Sequence, residues 1–177
     1  IILNMDDNYF NYLKEIAIQK KLKVISFSKK NNFSNIGLIK TIKKSSKLKL
    51  IIRVNNSKKE FIVNQNLKPY LTNILATIAV LSKFFDLNKI DRNIFLNFKI
   101  PKARGDTVKI SFKKKSILLT DESYNSNPLS LNFAIKNFDS VKTKKKKILV
   151  LSDMLELGKF SKYLHIKVAK SINKTKI

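Results

Sequence analysis

The chain has 177 residues, of which 44% are apolar and none is Cys. That is enough for one ordinary domain or parts of two, and it excludes a disordered tail, a disulfide framework and a Cys-based zinc site. Formal net charge is +25, yet only three of the 37 basic residues are Arg, the residue that sequence-reading nucleic-acid proteins favour for its bidentate fork.

Residues 1–3 read as the end of a buried strand, and Asn4-Met5-Asp6-Asp7 as a turn. An amphipathic helix follows over 9–18, with Tyr9, Leu13, Ile16 and Ala17 at helical spacing, then a strand over 23–27. This β-turn-α-β order suits a sheet with helices on its face. Residues 28–35 form a polar loop. Three stretches of alternating or β-branched character, 36–43, 48–54 and 60–64, make a small antiparallel section, with Asn55-Asn56-Ser57-Lys58 as the hairpin turn between the last two.

The strongest helix spans 68–85. Pro69 suits its first turn, and Leu71, Leu75, Ile78, Ala79 and Phe85 define its buried face. A shorter helix is expected over 90–98. The linker is Lys99-Ile100-Pro101-Lys102-Ala103-Arg104-Gly105-Asp106, followed by a strand pair, 107–112 and 116–120. Asn127 can cap and Pro128 can open a helix running to about 138. Residues 147–151 read as a near-continuous apolar strand of a parallel sheet. Ser161 can cap a last helix with Leu164, Val168 and Ile172 on its inner face. The runs Lys113-Lys114-Lys115 and Lys144-Lys145-Lys146-Lys147 read as solvated turns. Lys, Ile and Asn share A/T-rich codons, so coding bias accounts for the charge without a nucleic-acid surface. No apolar run approaches the roughly 20 residues of a membrane helix, and there is no signal-peptide pattern. The chain opens without Met and closes with no terminal element, so it reads as an internal fragment of a longer protein.

Two polar turns after strands carry the chemistry. Asp121-Glu122-Ser123-Tyr124-Asn125-Ser126-Asn127-Pro128 places carboxylates where ribose hydroxyls can be bound, beside neutral donors and acceptors for a polar substrate. As an alternative it is an ordinary capping turn, since Asp, Ser and Asn favour helix starts for local reasons. Ser152-Asp153-Met154-Leu155-Glu156-Leu157-Gly158 is the second, and a capped turn with exposed Asp153 is again the plain reading.

Together these strings resemble the Mur ligase family, and within it the member that joins D-alanyl-D-alanine to UDP-N-acetylmuramoyl-tripeptide. The first is similar to Asp-(Asp/Glu)-(Ser/Ala)-Tyr-Asn-Ala-(Asn/Ser)-Pro. The second is similar to Gly-Asp-Met-x-Glu-Leu-Gly, with Ser152 in place of the leading Gly, and His165 matches a His of the following helix. Three weaker matches keep the family's order. Asn73, Leu75 and Ala76 match its Arg-His-Asn-x-x-Asn-x-Leu-Ala helix start, where Lys68, Pro69 and Tyr70 depart. Ala103-Arg104 stands where the family has Gly-Arg. Leu3-Asn4-Met5-Asp6-Asp7 resembles Leu-Asn-Ala-Asp-Asp.

The resemblance implies an α/β fold, with residues 1–98 as the second half of a central ATP-binding domain and 99–177 as part of a Rossmann-like C-terminal domain. It implies an ATP-dependent ligase of peptidoglycan synthesis, hence of cell-wall biogenesis, cell shape and cell division, acting in the cytoplasm through an acyl phosphate. ATP and Mg2+ are the implied cofactors. The implied partners are UDP-N-acetylmuramoyl-tripeptide and D-alanyl-D-alanine, with a monomer, no nucleic acid and no membrane insertion. The resemblance puts Asn73, Arg104 and Glu122 on the nucleotide. Tyr124, Asn125, Ser126 and Asn127 fall at the reacting junction, and Asp153 and Glu156 near the dipeptide; His165 is read as structural. There is no G-x-x-G-K-[ST] phosphate loop in the chain. The phosphate loop, the magnesium ligands and the main catalytic residues are expected upstream, no metal ligand is assigned within the chain, and the fragment alone is expected to be inactive. Two alternatives stay open: a sister ligase adding a single amino acid, and a non-enzymatic basic module binding nucleic acid.

Overall fold

The computed structural model describes residues 1–31, 33–113 and 115–177; Asn32 of the expected polar loop and Lys114 of the expected lysine turn lie outside the described residues. The chain divides into two compact units, Ile1–Phe98 and Lys99–Ile177.

The first unit is a mixed five-stranded sheet in the order β1-β2-β3-β4-β5. Strands β1 (Ile2–Asn4), β2 (Ile25–Ser28) and β3 (Ile36–Lys44) run parallel, with helix α1 (Phe10–Gln19) as the β1–β2 crossover. Strands β4 (Lys47–Val54) and β5 (Ser57–Asn64) continue the sheet antiparallel. The tight turns carry the left-handed residues Ser45 (φ 52°) and Asn55 (φ 50°), and Asn tolerates that region better than most residues. Alternation along β4 and β5 buries Leu48, Leu50, Ile52, Phe61 and Val63.

Helix α2 (Leu71–Phe84) follows a 3-10 turn, Gln65–Tyr70, that contains Pro69. Its buried residues, Leu71, Ile74, Leu75, Ile78 and Ala79, are spaced i, i+3, i+4, i+7 and i+8, one stripe of an α-helix. That stripe packs on β1, β2 and β3. Phe85 does not belong to it: the helix stops at Phe84, the backbone turns extended at 85, and the ring is exposed. The face of α1 also differs from expectation. The helix starts at Phe10, so Phe10 and Ala17 are buried while Tyr9 and Leu13 face outward.

No helix forms over 90–98; turns do. Arg92 O accepts from Ile62 N (2.8 Å) and Leu96 O from Asn64 Nδ2 (2.7 Å). The segment is laid along β5, and carbonyls held there are not available for a helical ladder. Phe95 packs edge-on against Phe61, centroids 5.8 Å apart.

The second unit holds an antiparallel hairpin, β6 (Asp106–Phe112) with β7 (Lys115–Asp121), then helix α3 (Pro128–Ser140), a 3-10 turn (Gly158–Phe160) and helix α4 (Ser161–Ile172). Its core is small: Ile135, Met154 and Val168, flanked by Leu131, Leu149, Leu157, Ile172 and Ile177. Residues 147–151 are not a strand. The described β6–β7 sheet does not pair with them, and Ile148 and Val150 are exposed; a strand requires a ladder partner as well as apolar side chains. Ser161 is the first helical residue rather than the cap of α4, which begins after Phe160 without a side-chain cap bond. Among the described residues no helix is long and apolar enough to cross a membrane.

Candidate functional site

Two loops of the second unit carry most of the residues singled out from sequence. The first is built where the hairpin begins and ends. Asp106 pairs with Asp121 across the ladder, and Gly105 N donates to Asp121 O (2.7 Å). Ahead of that pair the chain doubles back through two left-handed residues, Ala103 (φ 58°) and Gly105 (φ 93°). Asp106 Oδ1 accepts from Ala103 N (2.6 Å), and Ala103 O accepts from Tyr124 N (3.0 Å). These bonds bring residues 103–106 against 121–124.

The result is a local cluster. The Arg104 guanidinium lies over the Tyr124 ring, 3.9 Å from its centroid, within the range of a cation–π contact. Both side chains are on the surface. Ser123 hydrogen bonds, from its hydroxyl and its backbone N–H, hold the Asp121 carboxyl below its usual range. Glu122 is pushed the other way, first by desolvation and then by the negative charges of Asp121 and Asp106. Arg104 and Tyr124 thus come together as cation and aromatic ring, with Glu122 two residues before Tyr124 in the chain and facing the negative charges of Asp121 and Asp106. Asp106, which holds the Arg104 turn closed, was not singled out from sequence; the Gly105-Asp106 pair at the strand start was its signal.

Asn125 and Ser126 lead from this cluster to α3. Asn127 caps that helix: its Oδ1 accepts from Leu129 N (3.0 Å) and Ser130 N (2.9 Å), and Ser130 Oγ accepts from Asn127 N (3.1 Å). This is a reciprocal capping box. The amide oxygen of Asn127 is therefore committed to the helix, and its Nδ2 is what remains to face a substrate.

The second loop, residues 151–158, is fastened by His165. Nε2 accepts from Met154 N (3.1 Å), and Nδ1 lies 2.8 Å from Ser161 O. Met154 is buried in the core while Asp153 and Glu156 are exposed. Asp153 Oδ1 sits 2.9 Å from the same Nε2. The ring nitrogen serves one partner at a time: unprotonated it accepts from Met154 N–H, protonated it donates to Asp153. Glu156 (φ 62°) and Gly158 (φ 53°) turn the backbone here. Ser152 is not among the left-handed residues, so its position requires no glycine.

Asn73 belongs to the first unit, exposed in the first turn of α2, where its carbonyl accepts from Thr77 Oγ1 (3.0 Å). Among the described residues no group of three or more His, Asp or Glu side chains could hold a metal ion.

No protein-family model and no curated protein matches the sequence. Solved structures do match the fold. MurF from Acinetobacter baumannii superposes with a TM-score of 0.78 over 99% of this chain and 36% of its own, at 17% identity. The MurF ligase from Thermotoga maritima in complex with ADP gives 0.73 over 98% of this chain and 38% of its own, at 18% identity. A UDP-N-acetylmuramoyl-L-alanyl-D-glutamate–2,6-diaminopimelate ligase gives 0.52 over 81% of this chain and 29% of its own, at 15% identity. The chain spans well under half the length of each. Over nearly its whole length, it has the α/β fold of the corresponding portion of a MurF ligase.

Proposed function

We propose that this chain is part of an ATP-dependent ligase that joins D-alanyl-D-alanine to UDP-N-acetylmuramoyl-tripeptide during peptidoglycan precursor synthesis. One observation carries the reading: a fold likeness to MurF ligases over 98–99% of the chain coincides with a MurF-like string, Asp121 to Pro128, whose Tyr124 ring lies under the Arg104 guanidinium. The dipeptide-adding member is preferred to a sister ligase because the likeness to the single-amino-acid enzyme is weaker and covers 81% of the chain.

In this reading residues 1–98 belong to a central ATP-binding domain and 99–177 to a C-terminal domain, in a cytoplasmic, monomeric enzyme. ATP phosphorylates the terminal carboxylate of the tripeptide. ADP leaves in that first step; the amine of D-alanyl-D-alanine then attacks the acyl phosphate, and the tetrahedral intermediate loses the amine's proton and collapses to the amide and inorganic phosphate. Arg104 supplies fixed positive charge to the nucleotide, pre-oriented by its contact with Tyr124. Glu122 accepts from the ribose hydroxyls. Tyr124, Asn125, Ser126 and the free Nδ2 of Asn127 present hydrogen-bonding groups to the reacting junction. Asp153 and Glu156 offer carboxylates to the incoming ammonium group. The described residues do not make a magnesium site, so no step is assigned to that ion.

The test uses the full-length protein that contains this chain. Arg104→Ala and Glu122→Ala are each expected to raise the apparent KM for ATP about tenfold or more, the loss of one charge-assisted hydrogen bond. Unchanged ATP kinetics in both variants would remove these assignments. The fragment alone, lacking a phosphate loop, is expected to show no ligation.

A further inference from the structure

His165 is the chain's single histidine, and its ring is fixed from one side. Nδ1 lies 2.8 Å from Ser161 O and 3.3 Å from Ser161 Oγ, one turn earlier on α4. A carbonyl oxygen only accepts, so Nδ1 carries a hydrogen. In the neutral ring Nε2 is therefore the acceptor, and it faces two groups of the 151–158 loop, Met154 N at 3.1 Å and Asp153 Oδ1 at 2.9 Å. These two make opposite demands. The Met154 N–H needs a bare nitrogen, whereas the Asp153 carboxylate, itself an acceptor, needs a protonated one.

The loop is built so that the choice matters. The Met154 side chain is buried in the core, which keeps its N–H at the ring. The Asp153 side chain is 78% exposed and can swing into solvent, and the His165 side chain, 32% exposed, is open to solvent protons. Charged groups also stand on the neighbouring elements: Lys136 and Asp139 on α3, Lys159 on the 3-10 turn, Glu156 in the loop and Lys162 on α4 itself. Among the described residues neither these nor a chain terminus pairs with the ring, and Asp153 does.

We propose that His165 is a positioning residue for Asp153, a proton-operated latch on the 151–158 loop. With Nε2 bare, the ring holds the Met154 N–H and leaves the Asp153 carboxylate to the substrate. With Nε2 protonated, it releases that N–H and takes the carboxylate for itself. Histidine side chains ordinarily make this change of charge between about pH 5 and pH 8. The proposal rests on the reading that Asp153 faces the ammonium group of the incoming dipeptide; ligation is then open in the neutral form and restrained in the protonated one.

Two measurements on the full-length protein that contains this chain test it. Amide exchange at Met154, corrected for the intrinsic rate at each pH, should lose about tenfold in protection between about pH 8 and pH 5. His165→Gln, which does not titrate, should show no such step. Asp153→Asn, which removes the ion-pair partner, should move the step to lower pH. In ligation assays the ratio of wild-type to His165→Gln kcat/KM for the dipeptide should fall about tenfold over the same range, with the ratio of KM values for ATP constant. Taking the ratio cancels the titration of the dipeptide's own amine. Met154 protection that ignores pH, or changes equally in His165→Gln, would overturn the proposal. So would a Met154 step with a flat kcat/KM ratio, because the ring would then not govern Asp153 in the reaction. A Met154 step in a protein that ligates no dipeptide would confirm the latch and remove the ligase reading instead.

Discussion

Replacing Asn127 by Ala separates the structural from the substrate-facing use of one side chain. The substitution removes an oxygen that accepts from Leu129 N at 3.0 Å and Ser130 N at 2.9 Å. Loss of such a cap costs about 1 kcal/mol, within a range of roughly 0.5–2. The cap is solvent-exposed, so water replaces part of it, and the middle of that range applies. Among the described residues, helix α3 brings Ile135 to a core whose other buried members are Met154 and Val168. A unit with so small a core has little stability to spare. For a domain of 60–100 residues about 1 kcal/mol lowers Tm by roughly 4–8 °C, readable by circular dichroism on the purified chain. Asn127→Asp keeps an acceptor in the same place and adds negative charge at the helix N-terminus, so it should hold or slightly raise Tm. Asn127→Gly should cost only a few tenths of a kcal/mol. If Asp is as destabilising as Ala, the capping geometry is wrong. If Asp preserves Tm but the full-length enzyme loses ligation, Asn127 has a second use at the substrate.

Three further outcomes are expected. Ala103→Gly should leave the second unit unchanged or up to about 1 kcal/mol more stable by thermal melting. It removes a left-handed Cβ worth about 1–2 kcal/mol and adds unfolded-state freedom of about 0.4–1, whereas Ala103→Val should clearly destabilise. Glu122→Gln should stabilise the chain at pH 7 in denaturant titrations. A carboxyl whose folded pKa is raised contributes stability below its unfolded value and loses it as pH rises through the folded one, so the variant's advantage should vanish as pH falls below the usual carboxylate value of 4.5. An advantage that grew toward acid would contradict the assignment. His165→Ala should speed amide exchange at Met154, whose N–H then lacks its acceptor; unchanged protection there would mean that His165 does not hold the loop.

Local chemistry was legible wherever one segment satisfied its own requirements. Four members of the α2 stripe (Leu71, Leu75, Ile78 and Ala79, with Ile74 missed), the turn at Asn55-Asn56, and the Asn127-Pro128 start of α3 are set by side-chain periodicity, left-handed tolerance and a cap within three residues. The motif strings were legible for the same reason, as short runs with a characteristic order of side chains. Where a segment answers to a distant partner, the sequence misled. Residues 90–98 have helical spacing, but β5 takes their carbonyls. Residues 147–151 have a strand's apolarity, but no described strand pairs with them. Phe85 continues the α2 pattern beyond the point where the backbone has already left the helix. The candidate site divides along the same line. That Arg104, Glu122 and Tyr124 are polar groups beside turns is written in the chain; that Arg104 lies over Tyr124 depends on the β6–β7 register, on Asp106 closing the turn, and on Ala103 accepting a left-handed backbone. Hydrogen bonds between residues far apart in sequence decide such features, because no local pattern encodes which partner a backbone group will meet.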